Sequence, residues 1–99
     1  MEYRIGQGYD IHRLEAGLRL ILGGVRIESS YGSVAHSDGD VLLHAIVDAI
    51  LGALGRGDIG ELFPDTDSRN KDRPSSDFIH EAMWYVKKAG YDVGNIDAT

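Results

Sequence analysis

The segment 40–54 constrains the fold of this chain most strongly, because it predicts a helix that is apolar on nearly every side. Its apolar residues are Val41, Leu42, Leu43, Ala45, Ile46, Val47, Ala49, Ile50 and Leu51. A helix of this kind must be buried on most sides. Asp40, His44 and Asp48 nevertheless recur four residues apart and form one polar stripe along it. Buried polar groups must be paired or functional, so this stripe marks a candidate site.

Strand patterns surround this helix. Residues 3–13 predict a strand in which Gly6 and Gly8 indicate a bulge or the close approach of another backbone. Residues 18–28, LRLILGGVRIE, predict a β-hairpin whose turn is the Gly-Gly pair. A further strand is predicted to begin within residues 93–99. The order of elements favours an α+β fold in which a mixed sheet packs on helices.

Capping and stop residues predict the limits of two helices. The first is expected to begin near Ser37, as its N-cap, and to end at about Leu54. The second is expected to begin at Ser75 or Ser76 and to stop before Gly90.

The bulk composition excludes several classes of protein. Ninety-nine residues make one domain at most. Sixteen acidic residues against ten basic ones leave a net charge of −6, which argues against a nucleic-acid-binding surface. The absence of cysteine excludes disulfides, thiolate metal sites and a cysteine nucleophile. We predict neither a signal peptide nor a membrane span, and we expect a reducing cytosol as the location.

The motif YDIHRL places an acid and an imidazole two residues apart. In an extended chain Asp10 and His12 therefore share one face. With His44 they make two imidazoles and a carboxylate, a set that suits Zn²⁺ with one open coordination position. Fe²⁺ or Mn²⁺ would also suit this set. The alternative is that His44 is a core histidine held by Asp40 or Asp48.

Two further stretches are candidates for ligand contacts. His36 and Ser37 lie at the predicted start of the first helix, where N–H groups and the helix dipole favour phosphate; alternatively, Ser37 is only a cap. The loop 57–67 is rich in acids, and Asp58 lies among glycines that permit close approach to a hydroxylated ligand. The alternative for that loop is a solvated acidic surface.

Four motifs together resemble one enzyme family. GYDIHRL, LGGVRI, AHSDGDVLLHAIVDAILGALGRGDIGELFPDTD and AGYDVGNID follow one another as in 2-C-methyl-D-erythritol 2,4-cyclodiphosphate synthases, over essentially the whole chain. The resemblance implies a ferredoxin-like βαβ arrangement and a homotrimer. It also implies a lyase of the non-mevalonate isoprenoid pathway. That enzyme converts 4-diphosphocytidyl-2-C-methyl-D-erythritol 2-phosphate to the cyclic diphosphate and releases CMP.

The resemblance also implies roles for individual residues. Zn²⁺ or another divalent ion would be held by Asp10, His12 and His44, with a phosphate oxygen at the fourth position. His36 would stabilise charge in the transition state, and Asp40, by helix spacing, would orient a metal-bound histidine. The substrate contacts would be Asp10, Ile11, His12, His36, Ser37, Asp48, Asp58, Ile59, Gly60, Phe63, Pro64, Asp65, Thr66 and Asp67.

Family chains extend past residue 99 by about half as much again. Residues 1–99 are therefore expected to be the N-terminal portion of a single cyclodiphosphate synthase domain. The remainder would carry the cytidine pocket and the ligand of a second ion, Mg²⁺ or Mn²⁺. The stretch NKDRPSSD also departs from the family's lysine- and glycine-rich turn. A plastid location would require that a transit peptide had been removed.

Two other functions remain as alternatives. One is a non-catalytic fragment that binds zinc and phosphate without turnover. The other is an unrelated metal-dependent phosphohydrolase with the same ligand set.

Overall fold

The computed structural model describes residues 2–99, in which four short strands and three α-helices form. The strands are β1 (Leu14–Ala16), β2 (Leu20–Leu22), β3 (Val25–Ile27) and β4 (Tyr31–Ser33). The helices are α1 (Val41–Leu54), α2 (Ile59–Leu62) and α3 (Ser75–Lys88), with a 3-10 turn at Ser68–Asn70 before α3. Within residues 2–99, no helix is both long and apolar enough to cross a bilayer.

The predicted α+β class, with small sheets packed on helices, is confirmed. Strand β1 pairs with β4, β2 pairs with β3, and β2 packs against α1. The pairing differs from the predicted mixed sheet, because both pairs are antiparallel. No parallel βαβ unit forms among the described residues. Residues 3–13 and 93–99 were predicted as strands, but they find no ladder partner in this part of the chain and are not strands.

The segment 3–13 instead lies against α1. A Cβ atom added to Gly6 would collide with the carbonyl of Ala49, and one added to Gly8 would collide with the carbonyl of Ala45. Only glycine permits a backbone to approach a helix this closely. The predicted close approach at these two glycines is therefore confirmed.

Two alanine substitutions are expected to change stability in opposite directions. Gly8→Ala should lower the free energy of unfolding by about 1–3 kcal/mol, because the new methyl overpacks the contact with α1. Gly52→Ala should raise it by about 0.5–1 kcal/mol, because Gly52 lies on an exposed face of α1 with no neighbour within 4 Å of the new Cβ. Urea unfolding measures both changes. If both variants changed the free energy of unfolding equally and in the same direction, the close approach of Gly8 to α1 would be contradicted.

The predicted hairpin is confirmed as β2 and β3. Leu20 faces Ile27 and Leu22 faces Val25 across the pair. The two turn glycines have φ of 62° and 79°. This left-handed pair matches the twist of the flanking strands, and it is the geometry that glycine adopts without strain.

Helix α1 begins later than predicted. Its first residue is Val41 and its N-cap is Asp40, so the prediction of a start near Ser37 is wrong. Its end at Leu54 is confirmed, with Gly55 in the left-handed conformation as the C-cap. The physical reason for the later start is that Asp40 supplies a better cap than Ser37, because it also bonds to the hairpin.

The carboxylate of Asp40 joins α1 to the β2–β3 turn. It accepts hydrogen bonds from the backbone N–H groups of Leu43 at 3.0 Å, Gly23 at 2.9 Å and Gly24 at 2.7 Å. Asp40 is 0% exposed. Both of its oxygens are used on backbone groups, and no histidine within residues 2–99 bonds to them. The prediction that Asp40 orients a metal-bound histidine is therefore corrected.

The hydrophobic core lies between α1 and α3. It is formed by Val47, Leu51, Phe63, Phe78 and Ala82. Helix α3 begins at Ser75 and stops before Gly90, as predicted, because Gly90 adopts a left-handed φ of 81°. This packing holds the N-terminal ends of α1 and α3 side by side, and the candidate site lies there.

Candidate metal centre and adjoining cleft

Asp10, His12 and His44 converge on one point. Each offers one ligand atom, and the three atoms lie within 4.8 Å of one another. Asp10 Oδ2 is 3.1 Å from His12 Nε2 and 3.3 Å from His44 Nδ1. His44 is buried on α1, whereas Asp10 and His12 are partly exposed in the segment that packs on that helix. The structure thus brings together the three predicted metal ligands, and this group could hold a metal ion.

The hydrogen bond of His12 supports this interpretation. Its Nδ1 lies 3.2 Å from the carbonyl oxygen of Gly39. A carbonyl only accepts, so Nδ1 carries a proton, and in the form of the ring that binds metals the lone pair is on Nε2. Nε2 faces the carboxylate of Asp10 at 3.1 Å. Two acceptors in this position require a proton or a metal cation between them, so the residues present fit a divalent metal.

The surroundings of His44 favour the form that binds metals. Burial lowers the pKa of His44, although the carboxylate of Asp10 acts in the opposite direction. The ring is therefore neutral at neutral pH, which is the form that ligates metals. Among the described residues, the carboxylates of Asp40 and Asp48 form no hydrogen bond to the imidazole of His44, so the alternative of a core histidine held by one of them is wrong.

A cleft of about 430 Å³ adjoins the three ligands, a size typical of small-molecule sites. It contains many of the predicted substrate contacts. Besides the three ligands, it is lined by Val34, Ala35, His36, Ser37, Ile59, Gly60, Phe63, Pro64, Asp65, Asn70 and Phe78.

Five predicted substrate contacts do not line this cleft: Ile11, Asp48, Asp58, Thr66 and Asp67. Ile11 is 74% exposed. Two of the acids anchor α2. Asp48 accepts the N–H of Ile59 at 2.8 Å, and Asp58 caps the helix by accepting the N–H of Glu61 at 2.9 Å. Burial raises the pKa of Asp48, and its bond to Ile59 opposes that rise. These acids therefore fix the α2 residues that do line the cleft.

The loop 63–67 is held against His36. His36 Nε2 lies 3.0 Å from the carbonyl oxygen of Asp67. The carboxylate of Asp67 bonds to the side chain and backbone of Arg69, which lowers the pKa of Asp67 to about 2. The loop thus keeps a fixed wall of the cleft beside His36.

The sequence predictions missed three polar residues of the site, Asp38, Asn70 and Ser75, besides the apolar lining residues Val34, Ala35 and Phe78. The side chain of Asn70 is buried and donates to the carbonyl of Pro64 at 2.9 Å. Ser75 Oγ lies 2.8 Å from His44 Nε2 and also bonds to Asp38. Residues 38 and 75 are far apart in sequence, so no local spacing could have joined them. The only signal was the polarity of the HSDGD motif that contains Asp38.

A family model and curated relatives match this chain. The model of the YgbB family matches residues 3–99. The chloroplastic 2-C-methyl-D-erythritol 2,4-cyclodiphosphate synthase of Catharanthus roseus is 59% identical over 99 residues, which is 100% of this chain and 42% of that protein. The Bordetella avium synthase is 59% identical over 97 residues, which is 98% of this chain and 60% of that protein.

Solved structures agree in fold. A CDP-bound 2C-methyl-D-erythritol-2,4-cyclodiphosphate synthase matches with a TM-score of 0.81 and 54% identity, over 88% of this chain and 58% of that one. The CDP complex of IspF from Plasmodium falciparum matches with a TM-score of 0.76 and 45% identity, over 97% of this chain and 60% of that one. The chain thus spans about two fifths to three fifths of the length of these relatives. Because the family model covers almost every residue, the chain belongs to the YgbB family.

Proposed function

We propose that this chain forms the metal-binding part of a 2-C-methyl-D-erythritol 2,4-cyclodiphosphate synthase. In the proposed reaction, an oxygen of the substrate's 2-phosphate forms a bond to the β-phosphorus. The bond from that phosphorus to the oxygen of the α-phosphate breaks, and CMP leaves with the electron pair. The observation that carries this proposal is the convergence of Asp10, His12 and His44 beside a cleft of suitable size.

The proposed metal is Zn²⁺, held by Asp10, His12 and His44. Two imidazoles and a carboxylate with an open position suit zinc, although another divalent ion would suit them too. When bound, the ion would supply a Lewis acid that offsets negative charge on the reacting phosphates. A second ion, Mg²⁺ or Mn²⁺, is proposed at a site whose protein ligand lies outside this chain.

The proposed work of the side chains is to position the phosphates and to stabilise charge. His36 lines the cleft and is held by the carbonyl of Asp67, so its ring is aimed by the loop opposite. We assign it the stabilisation of charge that develops in the transition state. Ser37 also lines the cleft, with its Oγ 3.2 Å from His44 Nε2, and its hydroxyl would bind a phosphate oxygen.

The α2 region is proposed to bind the methylerythritol part of the substrate. Ile59 and Gly60 line the cleft, and Asp58 begins the helix that carries them. Asp48 supports this region through its bond to Ile59. The loop that contains Phe63, Pro64, Asp65, Thr66 and Asp67 would form the wall that encloses the substrate.

Self-association as a homotrimer is proposed for the complete protein, of which residues 1–99 would be the N-terminal portion of one domain. Several large apolar side chains in the first third of the chain are exposed, including Tyr3, Ile5, Tyr9, Val25 and Tyr31. So many large exposed apolar side chains within one third of a chain are typical of a surface that a partner covers. The partner molecule is a small diphosphocytidyl substrate, in keeping with the CDP bound to two structural neighbours. The cytosol is the proposed location, or a plastid as for the chloroplastic relatives.

A non-catalytic fragment that binds zinc and phosphate is the second candidate function. The observation that favours it is the share of the relatives that this chain spans, 42% in the Catharanthus roseus protein. In this case the metal centre would form but the reaction would not occur.

One experiment separates these functions. The 99-residue chain and the complete protein that contains it are each incubated with the diphosphocytidyl substrate, Zn²⁺ and Mg²⁺, and the products are followed by phosphorus NMR. We expect about one zinc per chain in both samples, and CMP with the cyclic diphosphate from the complete protein. CMP from the 99-residue chain alone would exclude the non-catalytic fragment, whereas bound zinc without CMP in that chain would support it. Free inorganic phosphate would support a phosphohydrolase. Neither zinc nor product would reject the proposed function.

A further inference from the structure

We propose that Ser75, anchored by Asp38, is a positioning residue that fixes the proton of His44 on Nε2 and so leaves Nδ1 to bind the metal. This inference rests on the proposed function, because it concerns the same ligand set. It assigns a role to two side chains that lie behind the metal ligand, on the side away from Asp10.

A continuous chain of hydrogen bonds runs from Asp38 to His44. Ser75 is 0% exposed and is the first residue of α3. Its Oγ lies 2.5 Å from Asp38 Oδ1 and 2.8 Å from His44 Nε2. Its backbone N–H donates to Asp38 Oδ2 at 2.8 Å. The carboxylate of Asp38 therefore bonds to Ser75 through both of its oxygens, and this sets the direction of the serine hydroxyl.

Counting protons fixes the direction of each bond. A serine hydroxyl has one proton, and an ionised carboxylate can only accept. The proton of Ser75 is therefore donated to Asp38, and the oxygen of Ser75 must accept at its other contact. The donor in that contact is the N–H of His44 at Nε2. A neutral imidazole that is protonated at Nε2 carries its lone pair on Nδ1.

The lone pair of His44 points at the carboxylate of Asp10. Nδ1 lies 3.3 Å from Asp10 Oδ2, on the side opposite to Ser75. His12 shows the same pattern, since its Nδ1–H is committed to the carbonyl of Gly39 and its Nε2 faces Asp10. Both rings thus have their protons directed outward and their lone pairs directed inward. Without the outward acceptor, His44 would be free to protonate Nδ1 and bond to Asp10, and a metal would then have to displace that proton.

Ser37 is a weaker candidate for the same task. Its Oγ also approaches His44 Nε2, but at 3.2 Å. It is partly exposed at the cleft, and its only other recorded bond within residues 2–99 is from the N–H of Gly39 at 3.5 Å. Its hydroxyl has no fixed acceptor there, so its direction is not determined. Of these two serines, only Ser75 is fully buried and donates its hydroxyl proton to a carboxylate, that of Asp38.

The test compares Ser75→Ala with Ser76→Ala, a matched control on the exposed next position of the same helix. Zinc affinity of the 99-residue chain is measured by competition with a chromophoric chelator. We expect Ser75→Ala to bind Zn²⁺ about 10- to 100-fold more weakly than the control, as for other groups that orient metal ligands. Nitrogen-15 NMR of the metal-free chain reports the tautomer of His44. We expect the Nε2–H form in the control and a shift toward Nδ1–H in Ser75→Ala.

Two more variants separate positioning from folding. Ser75→Thr keeps the hydroxyl and should restore the control's zinc affinity and tautomer. Asp38→Asn keeps the shape but removes the carboxylate, and should resemble Ser75→Ala in both measurements. The proposal is overturned if Ser75→Ala and Asp38→Asn keep the control's affinity and tautomer, even though the metal site would then stand. If the unmutated chain bound no zinc, the proposed function would lose its metal, and the NMR tautomer would still decide for or against the role of Ser75.

Discussion

Replacement of His44 by alanine is expected to weaken zinc binding by about 100- to 1000-fold. Apparent zinc-binding free energies of about 10–16 kcal/mol are shared among three or four ligands, so one ligand accounts for several kcal/mol. His44 is the only buried member of the three and the only one on a helix, so no other described side chain can take its position. The measurement is zinc affinity by chelator competition, supported by the rise in melting temperature that zinc produces.

His80→Ala is the matched control for that prediction. His80 is exposed on α3, so the variant removes an imidazole without touching the three ligands. It should keep the affinity of the unmutated chain. Asp10→Asn removes the carboxylate charge without opening space near the core, and it should also lose most of the zinc affinity. Equal affinity in the His44 and His80 variants would show that the three residues do not form a metal site.

The metal ligands could be predicted from local sequence only in part. The spacing of Asp10 and His12 predicts a shared face, and the position of His44 in an apolar helix predicts a buried polar group. Neither pattern says that the two segments meet. Their meeting depends on Gly6 and Gly8, which allow the N-terminal segment to lie on α1. The two glycines indicated that another backbone approaches closely, but they did not identify it as that of α1. Only the family resemblance implied that Asp10, His12 and His44 bind one ion.

The errors have a common physical cause, which is that long-range contacts override local preference. HSDGD offers several oxygens that can cap a helix, and the choice of Asp40 over Ser37 is made by the hairpin glycines that also bond to it. Likewise, residues 3–13 have a strand pattern, but a strand requires a neighbour with which to exchange hydrogen bonds. Ser75 resembled an ordinary residue at a helix start, and only its contacts with Asp38 and His44 show its role.

Asp40→Ala is expected to lower the free energy of unfolding by about 3–5 kcal/mol. The change removes the cap of α1, which typically contributes about 1 kcal/mol. It also leaves the N–H groups of Gly23 and Gly24 without their acceptor, at about 1–2 kcal/mol for each, because both glycines are exposed and water replaces part of the lost bond. Domains of this size are stable by only about 5–15 kcal/mol, so the variant should be close to unfolding. Urea denaturation should show a midpoint lower by about 1–3 M, given typical slopes.

Two control variants show whether Asp40 stabilises the fold or orients a metal ligand. Asp97→Ala removes an exposed carboxylate near the end of the chain and should leave the urea midpoint unchanged. Asp40→Asn keeps an oxygen at the cap and should fold, with a smaller loss of stability. Because the carboxylate of Asp40 bonds to backbone N–H groups, folded Asp40→Asn should bind zinc as tightly as Asp97→Ala. A large loss of zinc affinity in Asp40→Asn, with little loss of stability, would instead mean that Asp40 orients a metal ligand, as its helix spacing first predicted.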